Sequence, residues 1–194
     1  MIYFKEFKKF GKVLEFRLIN AFFISISLGL LGPILITIKG AFLSTWVISL
    51  LALLTTLAVK ANNYIVNNYS IDTLYKSLVI IHILFIVTDS LYFYEPAYMA
   101  IGGGIVFIFE IAIFSSYYIA LTNHLTDNTP HHMKDFLISR NSVWADGAII
   151  GSIIVTILSL LSTMKITIII IITYNLLLLY WLMYNWNFYK RNIA

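Results

Sequence analysis

Long apolar stretches separated by short polar breaks set the pattern of this chain. Most of the stretches reach the ~17–25 residues that a helix needs to cross a bilayer. The first covers residues 17–38, with Asn20 toward one end and Gly29, Gly32 and Pro33 toward the other. A proline inside a helix cannot donate its hydrogen bond and crowds the carbonyl four residues back, so a kink is expected at Pro33. Lys39 and Gly40 make a very short turn into a second stretch, 43–59, which predicts that the first two spans are antiparallel neighbours. The first sizeable polar break is KANNYIVNNYSIDTLYK, residues 60–76; its asparagines, Ser70 and Asp72 favour turns. The third stretch, 77–92, carries His82 and Asp89, and YFYEPAY follows as an aromatic turn closed by Pro96. The fourth, 98–121, holds Gly102, Gly103, Gly104 and Glu110. TNHLTDNTPHHMKDF, residues 122–136, is the longest polar segment. The fifth stretch covers 142–161, Ser162 to Lys165 form a tight turn, and the sixth covers 166–186. Tyr180, Trp181, Tyr184 and Trp186 near its end make an aromatic belt of the kind found where membrane meets water. The pattern predicts an all-α membrane protein, one domain over residues 1–194, with six transmembrane helices.

Composition agrees. The chain is 60% hydrophobic and 11% charged, with a mean hydropathy of +0.88, whereas soluble domains carry roughly 25% charged residues. With six spans, Lys5, Lys8, Lys9, Lys12, Arg17, Lys60, Lys76, Lys134, Arg140, Lys190 and Arg191 share one side, and only Lys39 and Lys165 lie on the other. Eleven against two accounts for all thirteen basic residues. The positive-inside rule then places both termini in the cytoplasm, with a bacterial inner membrane as the expected location. The basic opening segment, MIYFKEFKKFGKVLEF, reads as the positive flank of the first span in preference to a surface helix. A cleavable signal peptide is not expected, because the apolar run after it is longer than a signal's core. The chain has no cysteine, which excludes disulfides, thiol catalysis and thiolate metal sites. The net charge of +4 is no nucleic-acid signature, and no nucleic-acid partner or cofactor is expected.

A charge at membrane depth is expensive and is kept only with a partner or a task. Glu110 is therefore the leading candidate. Spacings of three, four and seven put Gly103, Phe107, Glu110, Phe114 and Tyr117 on one helical stripe. A low-dielectric setting favours the neutral acid, so Glu110 can serve a proton-coupled step, or it can lock its helix to His82 or Asn175. Arg17, Asn20, Tyr117, His82 and Asn175, together with Asp89, are candidates for lining a path. In the fifth span Gly147 and Gly151 form a GxxxG pair, read as helix packing together with Gly103 and Pro33. Asp146 is expected to form a gate-side or structural ion pair with Arg140 or Arg17, and Asp72 a cytoplasmic one. His124, Asp127, His131 and His132 are metal-ligand types without a recognisable spacing, and a solvated loop is the preferred reading. Trp46 and Trp144 read as interface anchors. No HExxH, GxSxG or GxxxxGK[ST] motif is present, so an enzyme is not expected.

The run IGGGIVFIFEIAIFSSYYIALTNHLTD, then Arg140 in ISRNSVWADGAIIGS with Gly147 and Gly151, resembles the fourth and fifth helices of the major facilitator superfamily. SLGLLGPILITI similarly resembles that family's first helix. The resemblance covers most of the chain and corresponds to the amino-terminal six-helix half of such a transporter. The family's second loop usually carries a glycine, an aspartate and several basic residues, and here it reads NNYIVNNYSIDTLYK, with Asp72 and Lys76 its only charged remnants. The resemblance implies two inverted three-helix repeats and a substrate path between two six-helix halves. A half-size chain would then work as a homodimer, or with a second six-helix half, by alternating access on a small solute. The alternative is a non-transporting membrane interaction, accessory or immunity-type protein with the same fold.

Overall fold

The computed structural model describes residue 10 and residues 12–126 and 133–193. These form seven α-helices and one 3-10 turn, with no strand among the described residues. Helix α1 spans Lys12–Phe42, α2 Thr45–Lys60, α3 Asn62–Asn68 and α4 Ile71–Ser90. The 3-10 turn Leu91–Phe93 leads to α5, Pro96–Thr126, then α6, Met133–Leu161, and α7, Met164–Ile193. Five stretches are long and apolar enough to cross a membrane: Lys12–Ile34, Ile71–Phe93, Pro96–His124, Ile138–Leu161 and Met164–Arg191. Val47–Lys60 with Asn62–Asn68, bent by 41° at the break, make a sixth if they form one broken span. These are the dimensions of an integral membrane protein.

The helices outrun the apolar stretches that predict them. The expected spans begin at residues 17, 77, 98, 142 and 166, whereas α1, α4, α5, α6 and α7 begin at Lys12, Ile71, Pro96, Met133 and Met164. Local caps explain two of these starts. Ser70 is extended and its hydroxyl accepts from the Thr73 backbone N–H at 3.2 Å, which caps α4. Pro96 opens α5, where its missing N–H costs nothing. Pro33 lies inside α1 and does not end it.

Two expectations are corrected. The break at 60–76 is not a run of turns, since it contains α3 and the first turn of α4. Asparagine favours turns because its side chain competes for backbone bonds. Here the Asn62 amide is occupied on α5: it donates to Ser115 Oγ at 2.8 Å and accepts from Ser116 Oγ at 3.1 Å. The first two helices are also not close partners. The densest packing in the bundle is α1 on α6, and α2 lies along α5. Glycines set the first contact. A Cβ on Gly147 would collide with the Ser25 side chain and come within 2.6 Å of the Phe22 carbonyl oxygen. One on Gly151 would run into the Ile26 carbonyl and sit 2.9 Å from Gly29 Cα. One on Gly29 would strike the Ala148 carbonyl. Backbones this close gain dispersion contacts that lipid cannot replace.

The core runs the length of the bundle. At one end Ile34, Phe85, Met99, Ala100 and Ile168 pack together, with Leu43 against them. At the other, Leu74, Leu78, Tyr117, Leu121 and Leu182 form a second cluster, in which Tyr75 and Trp186 stack at 4.4 Å.

Candidate functional site

A half-open cavity of about 410 Å³ lies inside the bundle, walled by α1, α4, α5, α6 and α7. Its lining is mostly apolar and aromatic, with Phe107, Phe114, Tyr118 and Trp144 among the walls. Arg17, Ser27, His82, Glu110, Arg140 and Asn141 supply the polar groups. On α1 the lining residues Arg17, Ala21, Ile24 and Leu28 recur every three or four positions, as one helical face must.

At one level of the cavity His82 Nδ1 lies 2.7 Å from Glu110 Oε1. The other ring nitrogen, Nε2, is 3.2 Å from the backbone carbonyl of Asn175. A carbonyl can only accept, so Nε2 carries a proton. Nδ1 then either donates to a carboxylate or accepts from a carboxylic acid. In both cases a single proton sits between Nδ1 and Oε1, and its position decides where charge resides. His82 is buried, with 4% side-chain exposure, and Glu110 is partly buried, with 14%. Asp89, seven residues beyond His82 on α4 and wholly buried, is close enough to feel both charges. The Asn175 amide lies beside its carboxyl, short of hydrogen-bond geometry. Asn175 Oδ1 accepts from Ser27 Oγ at 2.6 Å, which ties α7 to α1.

Eight residues further along α5, about 12 Å at 1.5 Å per residue, Tyr118 faces Arg17. The Arg17 guanidinium carbon stands 3.7 Å from the centre of the Tyr118 ring. Arg17 is 2% exposed, and its Nε and Nη1 have no hydrogen-bond partner among the described residues. Arg140 lines the same region and donates weakly to Asn141 Oδ1 at 3.4 Å.

The candidates from the sequence thus divide. Glu110, His82, Arg17 and Arg140 meet at the cavity. Asn20 lies behind the wall, where its Oδ1 accepts from Trp181 Nε1 at 2.6 Å and from Asn185 Nδ2. Tyr117 turns away and packs on Tyr75 and Trp186. The expected stripe is shifted: the cavity face of α5 runs through Phe107, Ile111, Phe114 and Tyr118, with Glu110 at its edge. Tyr117 falls beyond that edge. Gly103 is buried, and Pro33 is exposed.

The ion pair expected of Asp146 with Arg140 or Arg17 is absent among the described residues. Six residues of α-helix turn Asp146 about 240° away from Arg140, so the two leave the helix on different faces. Asp72 pairs with Lys76 on its own helix and with Lys190 of α7 at 3.6 Å. His124 is exposed, while Asp127, His131 and His132 lie outside the described residues, as does the Trp46 side chain. No cluster of three metal-ligand side chains occurs among the described residues.

The sequence pattern singles out none of Tyr118, Ser27 and Asn141. Ser27 does carry a signal, since it follows Arg17 by ten residues and Asn20 by seven on the polar face of α1. Trp144 reads as an interface anchor but packs on Phe114 at 5.6 Å and lines the cavity. Comparison with protein-family models, with curated proteins and with solved structures gives no match to this chain.

Proposed function

We propose that this chain is a half-size, facilitator-like secondary transporter that moves a small solute through the central cavity, coupled to a proton on the His82–Glu110 pair. The observation that carries the reading is the pair itself: two ionisable groups at membrane depth, 2.7 Å apart, on the wall of a solute-sized cavity. Pockets that hold small molecules commonly have volumes of roughly 300–1,000 Å³. Ionisable groups at membrane depth are rare and mark ion or substrate pathways and proton relays. A second proton leaves Glu110 neutral beside an imidazolium, exchanges an ion pair for a weaker hydrogen bond and loosens the link between α4 and α5. Deprotonation restores that link. In this reading a homodimer provides the partner half against which the bundle rocks, with the termini in the cytoplasm.

The test is proton flux. Purified protein is reconstituted into vesicles loaded with a pH-sensitive dye and challenged with short-chain carboxylates, amino acids and sugars. The expected result is a solute-dependent pH change that Glu110→Gln abolishes. Equal flux in the variant removes Glu110 from coupling. No flux with any solute leaves the rival reading, a non-transporting accessory or immunity-type protein.

A further inference from the structure

The cationic end of the cavity has no anion to match it among the described residues. Arg17 is 98% enclosed and lines the cavity, yet Nε and Nη1 meet no acceptor among the described residues. An unpaired buried charge is one of the costliest features a fold can hold. The Tyr118 ring under the guanidinium offsets part of that cost through its π-face. A ring face cannot, however, accept the in-plane fork of N–H bonds that a guanidinium presents. Arg140 makes the imbalance larger, because it lines the same cavity and is near enough for Arg17 to repel it. Glu110, the one carboxylate lining the cavity among the described residues, is engaged by His82 two turns of α5 away. The Tyr118 hydroxyl, also buried, has no hydrogen-bond partner among the described residues. Two guanidiniums and an unpartnered phenol thus line a cavity whose apolar walls include Phe114, Trp144 and Leu182.

We infer that this end of the cavity binds a small organic anion, its carboxylate or phosphate head on Arg17 and Arg140 and its apolar body against Phe114 and Trp144. The guanidinium fork matches the two oxygens of a carboxylate or phosphate. The aromatic walls reward a flat or branched apolar body. The inference deepens the transport reading by naming a substrate class and rests on it for the role of the site, but binding can be measured without transport. The anion then offsets the charge of the arginines in the loaded state, about 12 Å along α5 from the proton pair.

The experiment is equilibrium dialysis of the purified protein in an uncharged detergent against radiolabelled benzoate, with benzamide as the neutral isostere and inorganic phosphate and phosphatidylglycerol as competitors. Benzoate is expected to bind at one site per chain, benzamide at least ten-fold more weakly. Arg17→Gln and Arg140→Gln should each weaken benzoate at least ten-fold, with Arg17→Lys recovering part of the loss. Arg17 is buried and its glutamine variant can fail to fold, which loss of a single symmetric gel-filtration peak would reveal. Arg140, half-exposed, then carries the test. Equal binding of benzamide overturns the inference, as does unchanged benzoate affinity in folded Arg140→Gln. Binding of phosphatidylglycerol alone also overturns it, because the arginines would then seat a lipid headgroup. Benzoate binding without proton flux defeats the transport reading and leaves the anion site standing. Flux with a neutral solute alone does the reverse.

Discussion

His82 is held at both ring nitrogens, by Glu110 on α5 and by the Asn175 carbonyl on α7, so one side chain ties three helices together. Removing one partner should therefore cost more than removing both. Glu110→Ala strands the His82 Nδ1 position in a buried site, and leaving a buried polar group unpaired costs about 1–3 kcal/mol. Replacing His82 and Glu110 together by leucine and alanine removes the demand along with the partner. The double variant is expected to lose less stability than the two single losses added. Unfolding in mixed detergent, measured as a double-mutant cycle, checks this, and additive losses would mean that the contact contributes nothing to the fold. Glu110 and His82 are conspicuous in the sequence because charge inside an apolar run has no cheap explanation. Tyr118 is not. It sits beside Tyr117, and nothing in the letters SSYY says which ring faces the cavity. That is decided by where α1 places Arg17.

The α1–α6 seam is built for zero side-chain volume at three places, Gly29, Gly147 and Gly151. Gly147→Ala puts a methyl against the Phe22 carbonyl oxygen and the Ser25 side chain, and backbone cannot step aside without moving the helix. Overpacking of this kind costs about 1–3 kcal/mol. Gly32→Ala is the control. A Cβ there meets nothing within 4 Å, and alanine exceeds glycine in helix propensity by about 1 kcal/mol. Thermal denaturation in detergent should show Gly147→Ala melting lower than the parent chain and Gly32→Ala no lower. Equal melting of the two would mean that the seam opens freely. The helices themselves are legible in the sequence because apolar length suffices to specify a crossing. The pairing of α1 with α6 is less so. GAIIG marks a packing face without naming its partner, and proximity along the chain favours α2. Helix α3 is illegible for another reason: the sequence NNYIVNN has turn chemistry, and its tertiary contacts, Asn62 on the serines of α5 fifty-three and fifty-four positions away and Ile65 and Val66 on the core, favour the helix.

For the molecule as a whole, the open question of five crossings or six turns on α2 and α3. Leu43, just before α2, packs into the cluster that holds Met99 and Ala100, near the start of α5. Asn62, at the start of α3, binds Ser115 and Ser116. Sixteen residues of α5 separate those two levels, about 24 Å, most of the ~30 Å of a bilayer's hydrocarbon. A segment that accompanies a crossing helix over that depth should cross with it, bend included. Charge argues the same way. Six crossings divide the basic residues eleven to two, whereas taking α2 and α3 out of the membrane divides them six to seven, with Lys165 joining the amino-terminal five. Only the first division has the asymmetry that orients membrane proteins. The chain has no cysteine, so single cysteines report without background. Gly40, Asn68, Thr163 and Asn187 are all exposed and suit the purpose. With six crossings, Gly40→Cys and Thr163→Cys react with an impermeant maleimide on intact cells, and Asn68→Cys and Asn187→Cys react only after permeabilisation. With five, Asn68→Cys reacts alongside Gly40→Cys, and Thr163→Cys changes sides. The expected outcome is the first. The second would place the amino and carboxyl ends on opposite faces of the membrane and would overturn the proposal of a facilitator-like half.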